Sequence, residues 1–250
     1  MDISLQDRTA IVTGASKGIG ARIAADLASA GAAVVVTYHS DEAGADRVVK
    51  EITAAGGRAL AARADVGRRA DVTALFETAR DAFGTVDVLV NNAGISVFAP
   101  IEAITDEDYR RHVDTNLWGT LLTTQALIGQ PGLDRASIIN VSTAGTTFHP
   151  AYSALYIATK AAVNAATLVA AKELGPRGIR VNAMLPGYSD TEGTRAMGFV
   201  GSPAADQAVA GVPLGRLGVP DDYGSLAVFL ASDAARFITG ALIHASGGVR

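Results

Sequence analysis

Thr9-Ala10-Ile11-Val12-Thr13-Gly14-Ala15-Ser16-Lys17-Gly18-Ile19-Gly20 is the stretch whose reading decides the fold. It begins as a short apolar run of strand character, passes three glycines, and enters a segment where Ile23 and Leu27 stand at helical spacing. Gly14 permits the tight turn out of the strand, because glycine reaches backbone conformations that other residues resist. Gly18 lets backbone N–H groups approach a pyrophosphate, and Gly20 lets the helix pack close to the strand. The helix N-terminus adds positive potential, so strand, turn and helix together form a dinucleotide cradle running over Gly14, Ser16, Lys17, Gly18, Ile19 and Gly20. The spacing is G-x-x-x-G-x-G, a variant of the more familiar G-x-G-x-x-G.

The same alternation continues outward. Thr9–Thr13, Ala33–Tyr38, Ala59–Arg63, Val86–Val90, Ser137–Val141, Ile179–Leu185 and Leu242–Ala245 read as strands, separated by helical patterns such as Leu75, Phe76, Ala79 and Phe83. Strands apolar on both faces belong to a parallel sheet, and right-handed crossovers place helices over both of its faces. The expected fold is therefore α/β: a doubly wound, seven-stranded parallel sheet with helices on both faces. No linker divides residues 1–250, which read as one domain. The one long irregular stretch, Pro186 to about Pro220, carries seven glycines; its part at about 188–215 reads as a substrate loop or lid.

Composition narrows the function. The chain is 49% apolar and 18% charged, with a net charge of −4 and no long basic block, which argues against nucleic acid or an anionic membrane surface as a partner. There is no cysteine, and His39, His112, His149 and His244 lack ligand spacing, so neither a metal nor a thiol enzyme is expected. Met1-Asp2-Ile3-Ser4 leads into a strand by Thr9, leaving no room for a signal peptide, and no apolar run reaches the length of a membrane span. A cytoplasmic location is expected.

Two further patterns carry chemistry. Tyr156 and Lys160 are four residues apart in an alanine-rich segment, which on a helix sets phenol and ammonium side by side. A positive neighbour favours the phenolate and draws the tyrosine pKa toward the range of efficient proton transfer, although such a pair alone is more often a helix edge packed on a core. Thr37-Tyr38-His39-Ser40 ends the second strand with no acid before Asp41, where NAD binders tend to place a carboxylate. Lys17 can pair with a 2′-phosphate, so NADP(H) is expected rather than NAD(H).

Taken in order, the glycine loop, Asn91-Asn92-Ala93-Gly94, Asn116, Tyr156-x-x-x-Lys160 and Pro186-Gly187 resemble the short-chain dehydrogenase/reductase family. The resemblance covers essentially the whole chain, continuing through Arg180-Val181-Asn182, Pro213-Leu214-Gly215-Arg216, Phe229-Leu230-Ala231-Ser232-Asp233 and Ile238-Thr239-Gly240. Within the family the sequence is most similar to β-ketoacyl-reductase-like and glucose-dehydrogenase-like members. It implies a Rossmann-like fold, hydride transfer between a nicotinamide and a carbonyl or alcohol, and often a homotetramer.

Residue by residue, the resemblance makes Tyr156 the proton donor or acceptor, with Lys160 lowering its pKa and holding the nicotinamide ribose. Asn116 would anchor a water relay from Lys160. Asp65 and Val66 would contact the adenine; Asn91, Ala93 and Gly94 would line the cofactor channel; Tyr38, His39 and Ser40 would face the 2′ position. Pro186, Gly187 and Thr191 match the P-G-x-x-x-T pattern near the carboxamide, and Ser189 stands where a branched apolar residue is more usual. The substrate-side hydroxyl is open between two neighbours. Thirteen residues before Tyr156 lies Thr143, which spacing favours, whereas the local S-x-x-G pattern selects Ser142. One residue of register reverses the face of a strand, so only one of them can point at the substrate.

Ser96, Phe98, Phe148, Tyr152 and Tyr188 are expected to line the substrate pocket, Phe98 and Phe148 being equally suited to a core or an interface. Residues 129–137 carry no lysine and arginine cluster of the kind that docks an acidic acyl carrier protein, so a free small-molecule carbonyl or alcohol is the expected substrate. The alternatives are an acyl-carrier-protein-linked 3-oxoacyl reductase, a non-catalytic NADP(H) sensor, and an extended-family epimerase or dehydratase.

Overall fold

Strands β1 (Thr9–Val12), β2 (Ala33–Tyr38), β3 (Arg58–Arg63), β4 (Val88–Asn91), β5 (Ala136–Val141), β6 (Ile179–Pro186) and β7 (Leu242–Ala245) form one parallel sheet in the order β3-β2-β1-β4-β5-β6-β7. They agree with the seven runs read from the sequence to within two residues, because apolar β-branched segments buried on both faces leave a plain signal. The computed structural model describes residues 3–249. Met1 and Asp2, on which the expectation about the start of the chain partly rests, lie outside the described residues, as does Arg250.

The side-chain period of two divides each central strand between two cores. Ala10 and Val12 of β1, Val88 and Val90 of β4 and Ile139 of β5 join helices α1 (Gly18–Ser29), α2 (Glu42–Ala54) and α10 (Asp221–Ala231) on one face. Ile11, Leu89 and Ile138 join α3 (Arg69–Phe83), α5 (Gly119–Ile128) and α7 (Ala154–Leu174) on the other. Helices thus cover both faces, as expected of a doubly wound sheet.

Strand order reverses between β1 and β4, and the crevice beyond the carboxyl ends of the strands opens at that point. Two local features shape its rim. Helix α4 (Asp106–His112), started by a Thr105/Asp108 capping box, runs into α5 through a π-helical turn over Val113–Trp118 that contains Asn116. The stretch from Pro186 to Pro220 is less irregular than its glycines suggest. It holds two short helices, α8 (Glu192–Ala196) and α9 (Pro203–Ala210), each opened by a hydroxyl cap from Thr191 or Ser202.

Helix α7 is, by length and composition, apolar enough to cross a membrane, which no run in the sequence was expected to be. It packs on β6 and carries Tyr156 and Lys160 to the crevice, which identifies it as a helix of the fold.

Candidate active site

A cleft of about 1690 Å³ lies over the strand ends. The glycine loop forms one wall. Gly14 holds φ +62°, and a Cβ there would stand 2.9 Å from Ala93 Cα; at Gly20 a Cβ would fall 2.6 Å from the Gly14 carbonyl and closer still to Asn92 Nδ2. The loop is braced by Asn92, whose amide donates to the carbonyls of Thr13 and Gly14 at 2.9 and 2.8 Å. Thr13 Oγ1 in turn accepts the backbone N–H groups of Asn92 and Ala93, both at 3.0 Å. Helix α1 begins at Lys17 without a side-chain cap, so the donors of its first turn are available to an anion. One of them is engaged: Gly18 N donates to Glu192 at 3.1 Å, tying the loop to α8. These features fit a dinucleotide diphosphate.

Ser16, Lys17, Tyr38, His39, Ser40, Asp65 and Val66, expected at the adenosine end, line the cleft, as do Ala93, Gly94, Pro186, Gly187 and Thr191, expected at its middle. Asn91 is the exception among the expected cofactor residues. Its side chain is buried in a polar network, donating to Asn140 at 2.9 Å and accepting from Thr123 at 2.7 Å. As the last residue of β4 it obeys the strand's alternation, which turns its amide inside, and the adjacent Asn92 lines the cleft in its place. Asp41 is the acid nearest the end of β2, but its carboxylate caps α2 by accepting from Gly44 N at 3.1 Å.

The chemistry-bearing groups meet at the mouth of β5. Thr143 is the hydrogen-bonding side chain that faces the Tyr156 phenol. Thr143 Oγ1 also accepts Gly145 N at 3.1 Å, which fixes its rotamer. Ser142, the other candidate, is turned away: its hydroxyl is buried and donates to the Lys160 carbonyl at 3.3 Å. The structure therefore brings Thr143, not Ser142, to the tyrosine. Lys160 Nζ, 4% exposed, donates to the Val141 carbonyl at 2.8 Å. Gly94 passes both Lys160 and Asn116, since a Cβ there would be 3.3 Å from Lys160 Nζ and from Asn116 Oδ1. Asn116 is fully buried and clamps the chain after Gly94. Its Oδ1 accepts Ile95 N at 2.8 Å while its Nδ2 donates to Ile95 O and Thr159 Oγ1, each at 3.0 Å.

The electrostatics differ from the expectation that Lys160 draws the tyrosine down. Burial pushes the Tyr156 phenol up to about 12, and the only opposing influence is the hydrogen bond with Thr143. The same burial pulls Lys160 down to about 8. Desolvation leads the shift at both groups, and the lysine charge is not among the causes acting on the phenol.

Ser96, Phe98, Phe148, Tyr152 and Tyr188 all line the far half of the cleft. The Phe98 ring meets Tyr156 edge-on at 6.0 Å, and Tyr188 lies between Phe148 and Phe199 at 5.0 and 5.9 Å. Four contributors have no role assigned from the sequence: Asn92 and Thr13 lie inside the quoted motifs, while Phe199 and His112 belong to none. Asn92 and Thr13 brace the loop. Phe199 completes the aromatic stack. His112 steadies the loop of Ser96 and Phe98, accepting Val97 N at Nε2, 3.2 Å, while Nδ1 faces the Asp108 carbonyl at 2.8 Å. Ser189 also finds its reason: it is buried against Tyr223, hydroxyl to hydroxyl at 2.5 Å, so polar partners fill the space where a branched apolar residue was expected. Among the described residues no group of three or more acids and histidines could hold a metal ion.

A family model described as enoyl-(acyl carrier protein) reductase matches residues 14–250. An uncharacterized oxidoreductase of Methylorubrum extorquens is 53% identical over 246 residues, 98% of this chain and 99% of the relative. A Serratia marcescens short-chain dehydrogenase/reductase is 34% identical, with a TM-score of 0.92 over 98% of both chains. A structure described as an NAD(P)-dependent gluconate 5-dehydrogenase of Beutenbergia cavernae, holding NADP at low occupancy, is 35% identical with a TM-score of 0.92 over 99% of this chain and 98% of the other. The chain belongs to the short-chain dehydrogenase/reductase family of oxidoreductases.

Proposed function

We propose that the protein is an NADP(H)-dependent oxidoreductase that interconverts a small carbonyl compound and its alcohol, with Tyr156 as general acid and base. The observation that carries the reading is the convergence of Tyr156, Thr143 and Lys160 beside a glycine loop shaped for a diphosphate. The nicotinamide, when bound, supplies or accepts the hydride. Tyr156 donates its proton to the carbonyl oxygen in reduction and takes it from the hydroxyl in oxidation. Thr143 steadies that oxygen and the phenol together, and Lys160 holds the nicotinamide ribose. Asn116 anchors a water through which Lys160 exchanges protons with solvent. A phenol raised toward 12 is protonated at neutral pH, which suits it to act as the acid of a reduction.

The choice of NADP(H) follows from the adenosine end. The acid nearest the end of β2, Asp41, stands beyond the strand and gives one carboxylate oxygen to its helix cap, while Lys17 lines the same cleft. The NADP in the Beutenbergia relative supports the same choice. A diphosphate would compete with Glu192 for the Gly18 amide, so binding would loosen the contact between the glycine loop and α8. The segment at about 188–215 thereby acts as a lid of the single domain, its entry pinned by backbone hydrogen bonds between Tyr188, Asp190 and Gly218.

The family model's description favours a second reading, a reductase acting on a carrier-linked acyl group. Its docking surface lacks support in residues 129–137, whose one basic residue, Arg135, faces Asp233 at 3.8 Å. The deciding experiment titrates the protein with NADPH and NADH and then follows nicotinamide absorbance across a panel of free ketones and a carrier-linked 3-oxoacyl chain. The expected result is NADPH at least tenfold tighter than NADH, with free ketones turned over. Tighter NADH, or turnover confined to the carrier-linked chain, would overturn the reading.

A further inference from the structure

The far half of the cleft bears on the substrate class, and the inference rests on the function proposed above. From Val141 to the end of the chain, the residues lining the cleft include a single charged side chain, Lys160, which is buried and committed to the Val141 carbonyl. The two arginines of the lid region are spent on partners outside the lining. Arg195 forms a two-point pair with Asp190 at 2.6 and 3.0 Å, and Arg216 a two-point pair with Asp222, both bonds at 2.7 Å. A carboxylate or phosphate laid against this wall would lose its water with no free cation among these residues, since the other cations of the lining, Lys17, Arg68 and Arg111, belong to earlier segments of the chain.

What the wall does present is apolar and flat. Phe148, Tyr188 and Phe199 stack in series, from α6 (Gly145–Phe148), the end of β6 and the turn before α9, and Phe98 stands edge-on to the Tyr156 ring from the opposite loop. Met197, half exposed, adds an adaptable thioether to the lining. Aromatic faces bind large apolar area with little loss of side-chain freedom. The cleft, at about 1690 Å³, exceeds the ~300–1,000 Å³ of a site for one small ligand, which leaves room for a ring system beside a dinucleotide.

We infer that the substrate is a neutral, predominantly apolar ketone or secondary alcohol of ring-sized bulk, laid against the Phe148–Tyr188–Phe199 stack with its oxygen toward Tyr156. Sugar acids, keto acids and phosphorylated carbonyls are disfavoured at this wall, which offers their charge no free cation.

The test separates binding from turnover. The Tyr156→Phe protein saturated with NADP⁺ is titrated calorimetrically with trans-1-decalone, a neutral bicyclic ketone, and with 5-keto-D-gluconate, a hydrophilic keto acid. The decalone is expected to bind at least tenfold tighter, with a negative heat-capacity change and little dependence on salt. Phe148→Ser should weaken the decalone about tenfold, equivalent to about 1.4 kcal/mol, and leave the NADPH affinity within twofold. Phe98→Ala, at an exposed position, gives an independent check that does not disturb the core. Equal or tighter binding of the keto acid, no detectable decalone binding at its solubility limit, or indifference to both substitutions would overturn the substrate class. Absence of NADPH binding would instead overturn the function on which it rests.

Discussion

At the scale of single residues, the neighbours Ser142 and Thr143 show how one step of register decides a role. Spacing from Tyr156 selects Thr143 and the local motif selects Ser142; hydrogen bonding separates them, since Ser142 answers to the Lys160 carbonyl and Thr143 to Tyr156. Thr143→Val keeps the shape and removes the hydroxyl, and kcat should fall by ~10², the scale of losing one donor to a developing oxyanion. Ser142→Ala should leave kcat within about fivefold and cost ~1 kcal/mol of stability. Steady-state kinetics on the pair decides it, and the reverse order would reassign the hydroxyl. Lys160 gives a second handle. Its folded pKa, about 8, lies below the ordinary lysine value of 10.5, so between those values the unfolded chain binds more protons and stability rises with pH. Lys160→Met has no such group. Urea unfolding of both proteins at pH 8 and pH 10 should show the wild type gaining on the variant by on the order of 1 kcal/mol per pH unit. A constant gap would mean that the lysine titrates normally.

At the scale of elements, the glycine loop is rigid by construction rather than flexible. Gly20→Ala drives a methyl into the Gly14 carbonyl and the Asn92 amide, whereas at Gly211, right-handed in conformation, a Cβ meets only the Ala208 carbonyl at an ordinary 3.5 Å. The first substitution should lower stability by ~1–3 kcal/mol and weaken NADPH at least tenfold; Gly211→Ala should be neutral or slightly stabilising. Thermal melts with and without NADPH compare them, and equal behaviour would contradict the packing account. The strands and the loop were legible because strong local signals created them: branched apolar runs for the strands and three glycines at a strand-to-helix turn. The lid helices were not, being five and eight residues long among glycines and held by single hydroxyl caps. The π-helical turn at Asn116 was also hidden, since it spans only six residues, too few for its shift of the apolar phase to be read. The exchange of roles between Asn91 and Asn92 turns on which side of the last strand residue the chain leaves the sheet, and no pattern of residue types encodes that.

At the scale of the whole molecule, the fold leaves apolar surface uncovered. Leu168 and Val169 on α7 are 41% and 54% exposed and Phe237 is fully exposed, while small alanines along α7 permit close helix approach. We propose that these faces are covered in the homotetramer that the family resemblance implies, and light scattering at micromolar concentration should then return four times the chain mass of 25.5 kDa. A monomer would contradict it. The central claim concerns the cleft: that a half-buried phenol, poised beside Thr143 and Lys160, moves the proton that accompanies hydride transfer. Its most direct test is single-turnover oxidation of NADPH by the Tyr156→Phe protein with a ketone that the wild type reduces. The account predicts a rate at least ~10² below wild type with the NADPH dissociation constant unchanged; a rate within a few-fold of wild type would contradict it.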